Sequence, residues 1–191
     1  MFKQVLVSVM TLGLLGTAPA MALDAGHRQL IDTLEASGVY FGINPPQVCD
    51  VEKTDESYHG VYFYSDTNQT PLLAVCQDFG GQGEETVWTD NDLDTLRHES
   101  IHFIQDCIGN TVDGELDRIY DGPGGYSAIE FNTMDIVGAL GYEQAQSIIT
   151  RYEENGADED VIALELEAFY LAASQEASTI ADVMSHTCPV K

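Results

Sequence analysis

The residues of this chain best equipped for chemistry lie in one short stretch, Arg97-His98-Glu99-Ser100-Ile101-His102-Phe103. On a helix, His98 and His102 are one turn apart and share a face. Two imidazoles at that spacing can bind one zinc ion, and a glutamate directly after the first is placed to take a proton from water. The competing reading is a pair of ordinary helix histidines. What separates the two is context: a helix to fix the spacing, and a third protein ligand for the metal.

A helix is expected here. Thr89 or Asp90 opens it, with Asn91, Asp92 and Asp94 giving capping and acidic first-turn residues where the helix dipole favours them. Leu93, Leu96, Ile101, Ile104 and Ile108 supply apolar faces, so the helix should run from about Asp92 to Cys107, with Gly109 beyond its end. The third ligand must come from elsewhere. Glu165 and Glu167 stand out in Ala163-Leu164-Glu165-Leu166-Glu167-Ala168-Phe169-Tyr170, within a last helix predicted from Glu159 to about Ser178. That helix is apolar nearly all round and therefore buried. A buried carboxylate is costly unless paired or bound to metal. Two residues apart, the two side chains point roughly 200° from one another, so only one of them can be the ligand. Glu130 and His186 are lesser alternatives. Gln105 and Asp106 are within reach of orienting a ligand, although helix-end residues are usually solvated.

The other elements must carry this helix pair. Leu30, Ile31 and Leu34 predict a first helix ended by Gly38. Val39 to Ile43, Val48 to Val51, Tyr58 to Ser65 and Pro71 to Cys76 read as strands, with a further short one at Glu84 to Trp88. Together they predict a small, mostly antiparallel sheet in which Leu72 to Cys76 offers an edge to an extended peptide. Asn110 to Tyr126 is irregular and glycine-rich; Tyr120 and Tyr126 lie there as candidate electrophiles for an oxyanion. Ser127-x-x-Glu130 resembles a capping box opening a helix to Leu140, and Tyr142 to Glu154 forms the next.

Residues 1–22 are set aside from the fold. Lys3, the apolar run from Val5 to Leu15 and Ala20-Met21-Ala22 read as a signal peptide, leaving a single domain over residues 23–191. The leader removes one of seven basic residues and none of 32 acidic ones, taking the formal charge from -25 to -26. Such a charge argues against nucleic acid and anionic membranes as partners. Cys49, Cys76, Cys107 and Cys188 form an even set behind a signal peptide, which points to two disulfides. Of three possible pairings, the preferred one is Cys49–Cys76, which would join neighbouring strands, with Cys107–Cys188, which would tie the C-terminal tail to the end of the motif helix.

The H-E-x-x-H stretch with a later Glu165-Leu166-Glu167-Ala168 (an E-x-x-A segment) resembles the gluzincin class of zinc metallopeptidases, small secreted bacterial or phage-type members in particular. The metzincin pattern fails, because Gln105 and Ile108 stand where it needs glycine and histidine. The resemblance spans about Asp92–Cys107 and Val161–Ala172. It implies Zn2+ held by His98, His102 and Glu165, with Glu167 as the alternative third ligand and Glu99 as general base. The expected fold is α+β and zincin-like: a small antiparallel sheet packed on an active-site helix, with a helical C-terminal half. The expected function is a secreted or periplasmic, monomeric zinc metallopeptidase acting on peptide or protein substrates, with no membrane association after leader removal. The alternative is a non-catalytic secreted binding protein that keeps the scaffold. A calcium-binding protein ranks lower, since no D-x-[DN]-x-[DN]-G loop occurs.

Overall fold

The computed structural model describes residues 23–49, 59–65, 67–77, 87–108, 111–119 and 133–188. The predicted leader, Tyr120, Tyr126, Glu130 and the Ser127 capping box lie outside these residues. Among them the chain forms an α+β arrangement of seven helices and a three-stranded sheet.

Helix α1, Ala25–Ala36, starts at Asp24, whose side chain accepts from the His27 N–H. It ends in a left-handed Gly38 (φ 86°). There Gly38 N–H donates to Glu35 O and Val39 N–H to Leu34 O, both at 3.0 Å, the paired bonds of a Schellman ending. Strand β1 is Tyr40–Ile43, the one-turn helix α2 is Pro46–Cys49, β2 is Gly60–Ser65 and β3 is Thr70–Val75. The sheet order is β1-β3-β2.

Only one of the two pairings is antiparallel: β2 pairs with β3 that way (Gly60 beside Val75), whereas β1 runs parallel to β3 (Tyr40 beside Leu72). The expectation of an antiparallel sheet is corrected accordingly. The cause lies at the end of β1. Asn44 turns left-handed (φ 50°), donates its N–H to Val75 O and accepts Gln77 N–H on its side chain. Pro46 then fits the first position of α2, so Val48-Cys49 is helical and not a strand. The chain returns only after β2, which puts β3 in the centre, so Leu72–Cys76 is not the free edge expected of it. Trp88 makes an isolated bridge; residues 84–86 of the further strand expected before it are outside the described set.

Helix α3, Asp90–Cys107, carries the motif. Thr89 and Asp92 close a reciprocal capping box, with Asp92 N–H on the Thr89 hydroxyl (3.1 Å) and Thr89 N–H on the Asp92 carboxylate (2.8 Å). Helices α4 (Thr133–Leu140), α5 (Tyr142–Glu154), α6 (Glu159–Ser174) and α7 (Ala177–Thr187) follow. The single last helix expected to Ser178 is in fact broken. Gln175 and Glu176 are extended, and α7 turns back onto α1 and α3, burying Ala177, Ile180, Ala181 and Met184.

The main core joins α1, the sheet, α3 and α7 through Leu30, Leu34, Leu73, Leu96, Phe103 and Met184, all fully buried. Each such side chain contributes about 1.5–3 kcal/mol by leaving water. A second apolar cluster joins α4, α5 and α6 through Ile136, Ile148, Tyr152, Ile162 and Leu166. The disulfides are Cys49–Cys76 and Cys107–Cys188, the preferred pairing. The first holds α2, not a second strand, to the end of β3. The second holds the last residue of α3 to the end of α7. Arg97, on α3, donates from Nε to Ala172 O (2.9 Å) and from Nη1 to His27 Nε2 (2.7 Å), and it pairs with Asp94. His27 in turn donates from Nδ1 to Asp24 (2.7 Å).

Candidate metal centre

His98 and His102 project from the middle of α3, their Nε2 atoms 2.9 Å apart. Across from them α6 supplies Glu165, with one carboxylate oxygen 3.3 Å from His98 Nε2 and the other 3.6 Å from His102 Nε2. Among the described residues these three form the group able to hold a metal ion, each contributing one ligand atom within 4.8 Å of the others. A tetrahedral ion with bonds of about 2.0–2.1 Å spaces its ligand atoms about 3.3–3.4 Å apart, close to the separations present. Two imidazoles and one carboxylate suit zinc and several other divalent transition metals, so the donor set fits a metal without choosing it.

The three groups are buried beyond contact with water, and the electrostatics follow. Burial drives the His98 imidazole down to about 4, against the pull of Glu165. Burial would lower His102 as well, but the Glu165 charge overcomes it and His102 is pushed up to about 9. Burial would likewise raise Glu165; His102 and then His98 hold it down to about 2. A carboxylate–imidazolium pair thus balances the cluster. Glu165 also accepts from the Tyr152 hydroxyl of α5 at 2.7 Å, and Phe169 packs against His98 with ring centroids 4.3 Å apart and the rings tilted by 59°.

Glu99 is fully buried beside this cluster, and neither of its oxygens makes a well-formed hydrogen bond. Burial pushes its carboxyl up to about 8, with Glu165 adding to the shift and His102 and the Tyr62 main chain opposing it. The start of β2 presses on it from one side. A Cβ on Gly60 would lie 2.4 Å from Thr95 Cγ2 and 3.0 Å from Glu99 Cγ, so only glycine lets the sheet approach this closely.

Glu167, the other candidate of α6, is not one of the group able to hold a metal ion. Its carboxylate accepts from Gln105 Nε2 (2.8 Å) and from Ile119 N–H (3.0 Å). His186 is exposed and bonds to Asp182 O on its own helix, remote in role from the cluster. Gln105 and Asp106, expected to be solvated, are fully buried. Asp106 accepts from the Tyr62 hydroxyl and from Asp113 N–H (3.0 Å) and Gly114 N–H (2.8 Å). These bonds fold residues 111–119 over the end of α3 and exclude water there. Tyr152 and Phe169 carry no signal in the sequence: one is an inward position of an amphipathic helix, the other one apolar residue among many on α6.

No protein-family model, curated protein or solved structure matches this chain. The reading of the site therefore rests on its own geometry.

Proposed function

We propose that the chain is a zinc-dependent hydrolase of peptide bonds, working outside the cytoplasm. The observation that carries this is Glu99, a buried carboxylate without a well-formed hydrogen bond, one residue from His98 and electrostatically coupled to His102 and Glu165. A buried acid is costly to keep unpaired, and a structural metal site has no use for one. A general base between the imidazoles does. His98, His102 and Glu165 would hold the zinc ion, which when bound would polarise a carbonyl and acidify water. Glu99 would take a proton from the attacking water and return it to the departing amine; burial raises its carboxyl above the ordinary carboxylate range, which makes it a better proton acceptor than an exposed glutamate. Tyr152 keeps Glu165 anchored and charged through its hydrogen bond. The two disulfides fit an oxidising compartment, in line with the leader-like N-terminus.

The second reading is a non-catalytic protein that keeps the metal centre as a staple. Full burial favours it: His98 is 2% exposed and Glu99, His102 and Glu165 are 0% exposed, so a substrate reaches them only after a rearrangement. Zinc content and hydrolysis of casein and short peptides, measured for the protein and for Glu99→Gln, separate the two. Zinc in both with hydrolysis lost in the variant supports the hydrolase. Zinc in both with hydrolysis in neither sinks it in favour of the staple. No zinc in either removes both.

A further inference from the structure

We propose that Gln105 and Glu167 form a positioning relay that fixes a proton on His102 Nδ1 and so reserves Nε2 for a metal; this deepens the metal-centre reading and rests on it. Gln105 lies three residues after His102 on the same face of α3. Its Nε2 has two partners, the Glu167 carboxylate at 2.8 Å and Leu164 O at 3.1 Å. Both are acceptors, so the end of the amide facing them must be the NH2. The amide cannot flip without setting its oxygen against a carboxylate and a carbonyl inside the core. Its Oε1 therefore faces His102 Nδ1, 2.7 Å away. That oxygen only accepts, and Nδ1 must carry hydrogen. A neutral His102 then presents its lone pair at Nε2, the atom that faces Glu165.

Glu167 is in turn held by the Ile119 N–H at 3.0 Å, so the segment after α3 helps aim the carboxylate. The chain of contacts runs from Ile119 and Glu167 through Gln105 to His102 and spans three parts of the sequence. Metal-ligating imidazoles commonly donate their second N–H directly to a carboxylate or carbonyl; here an amide stands between. His98 has no matching device: its Nδ1 is buried with no hydrogen-bond partner among the described residues. The two imidazoles are therefore unequal, with His102 preset and His98 adaptable. The relay also gives the second buried glutamate of α6 a task that metal ligation does not use up.

Three variants test it: Gln105→Met, which keeps volume but removes donor and acceptor; Glu167→Gln, whose amide oxygen still accepts from both Gln105 Nε2 and Ile119 N–H; and Glu165→Gln as the control for the metal site. Zinc affinity is measured by chelator competition. In the zinc-free protein, the proton on His102 Nδ1 is followed by nitrogen–proton correlation NMR. Zinc binding should fall about ten- to a hundredfold in Gln105→Met and stay near the parent value in Glu167→Gln. The His102 Nδ1 proton should exchange slowly in the parent and in Glu167→Gln, and its signal should be lost to fast exchange in Gln105→Met. If Glu165→Gln loses zinc while Gln105→Met binds it like the parent, the relay is wrong and the metal centre stands. If the parent binds no zinc, the metal reading fails, and absence of the protected Nδ1 proton would overturn the relay separately. A purely structural Gln105 would lower the melting temperature in Gln105→Met yet leave the zinc affinity and the proton of the folded fraction unchanged.

Discussion

Gly60 offers a test of how closely the sheet is pressed against the motif helix. It opens β2 directly over α3, and its φ lies outside the left-handed region, so nothing in the backbone forbids alanine there. Space does. The added Cβ would meet Thr95 Cγ2 at 2.4 Å, Glu99 Cγ at 3.0 Å and the Ala74 carbonyl oxygen at 3.1 Å. Overfilling a packed interior costs about 1–3 kcal/mol, while replacing glycine returns about 0.4–1 kcal/mol by restricting the unfolded chain. Gly60→Ala should therefore destabilise by about 1–2 kcal/mol in urea denaturation. The identity of the clashing atom makes the prediction sharper. Thr95→Ser removes Cγ2 and keeps the hydroxyl, at a cost of about 0.8 kcal/mol for one buried carbon. In the double variant the closest clash is gone, so the two effects should fail to add by about 1 kcal/mol in the stabilising direction. A neutral Gly60→Ala, or strict additivity with Thr95→Ser, would refute the claimed packing of β2 on α3.

Replacing Cys107 and Cys188 by serine should cost about 4.5 kcal/mol and replacing Cys49 and Cys76 about 3.5 kcal/mol on chain-entropy grounds. The linked residues are 81 and 27 apart, and denaturation under matched conditions gives the ranking. Tyr152→Phe removes the hydroxyl donor to Glu165 and should lower the stability of the metal-free protein by about 1.5–3 kcal/mol, the range for bonds to charged groups; an unchanged urea midpoint would contradict the bond. Metal uptake should release a proton. His102 is raised to about 9, so at neutral pH its Nε2 carries the proton that a metal must displace. Zinc affinity should then rise with pH up to about 9, by up to about tenfold per unit. Calorimetry in buffers of different ionisation heat counts the proton, and a count of zero would argue against His102 as a ligand.

The motif helix was legible because its signals are local: Thr89 and Asp92 cap it, and the histidine spacing has meaning only on a helix. The parallel pairing of β1 with β3 was not, since it joins segments about 30 residues apart and depends on how Asn44 leaves the sheet. Nor was the break between α6 and α7, where Gln175-Glu176 contains no glycine or proline and tertiary packing of α7 decides the matter. On α6, two buried carboxylates could be found by their cost in an apolar helix. Their division of labour came only from the E-x-x-A resemblance, which put Glu165 first, because an all-round apolar surface gives no face to orient them. Gln105 and Asp106 looked solvated from their place near a helix end. They are buried because residues 111–119 return to donate main-chain N–H groups to Asp106, a contact with no local signature.

Arg97 sets the rotational phase of α3. It is one residue from His98, about 100° round the helix, so it points away from the metal centre while sharing its backbone. Its bonds to Ala172 O and to His27 reach two different helices and resist rolling of α3 about its own axis. Rolling matters more than sliding or bending would suggest. An imidazole tip about 6 Å from the axis moves about 1 Å for a 10° roll, several times the ~0.2 Å within which metal–ligand distances must hold. Two imidazoles one turn apart would move together, so their mutual spacing would survive such a roll while their aim at Glu165 would not. The arginine beside the first histidine thus works as an angular stop, and the accuracy of the site is set partly on a different face of the helix that bears it.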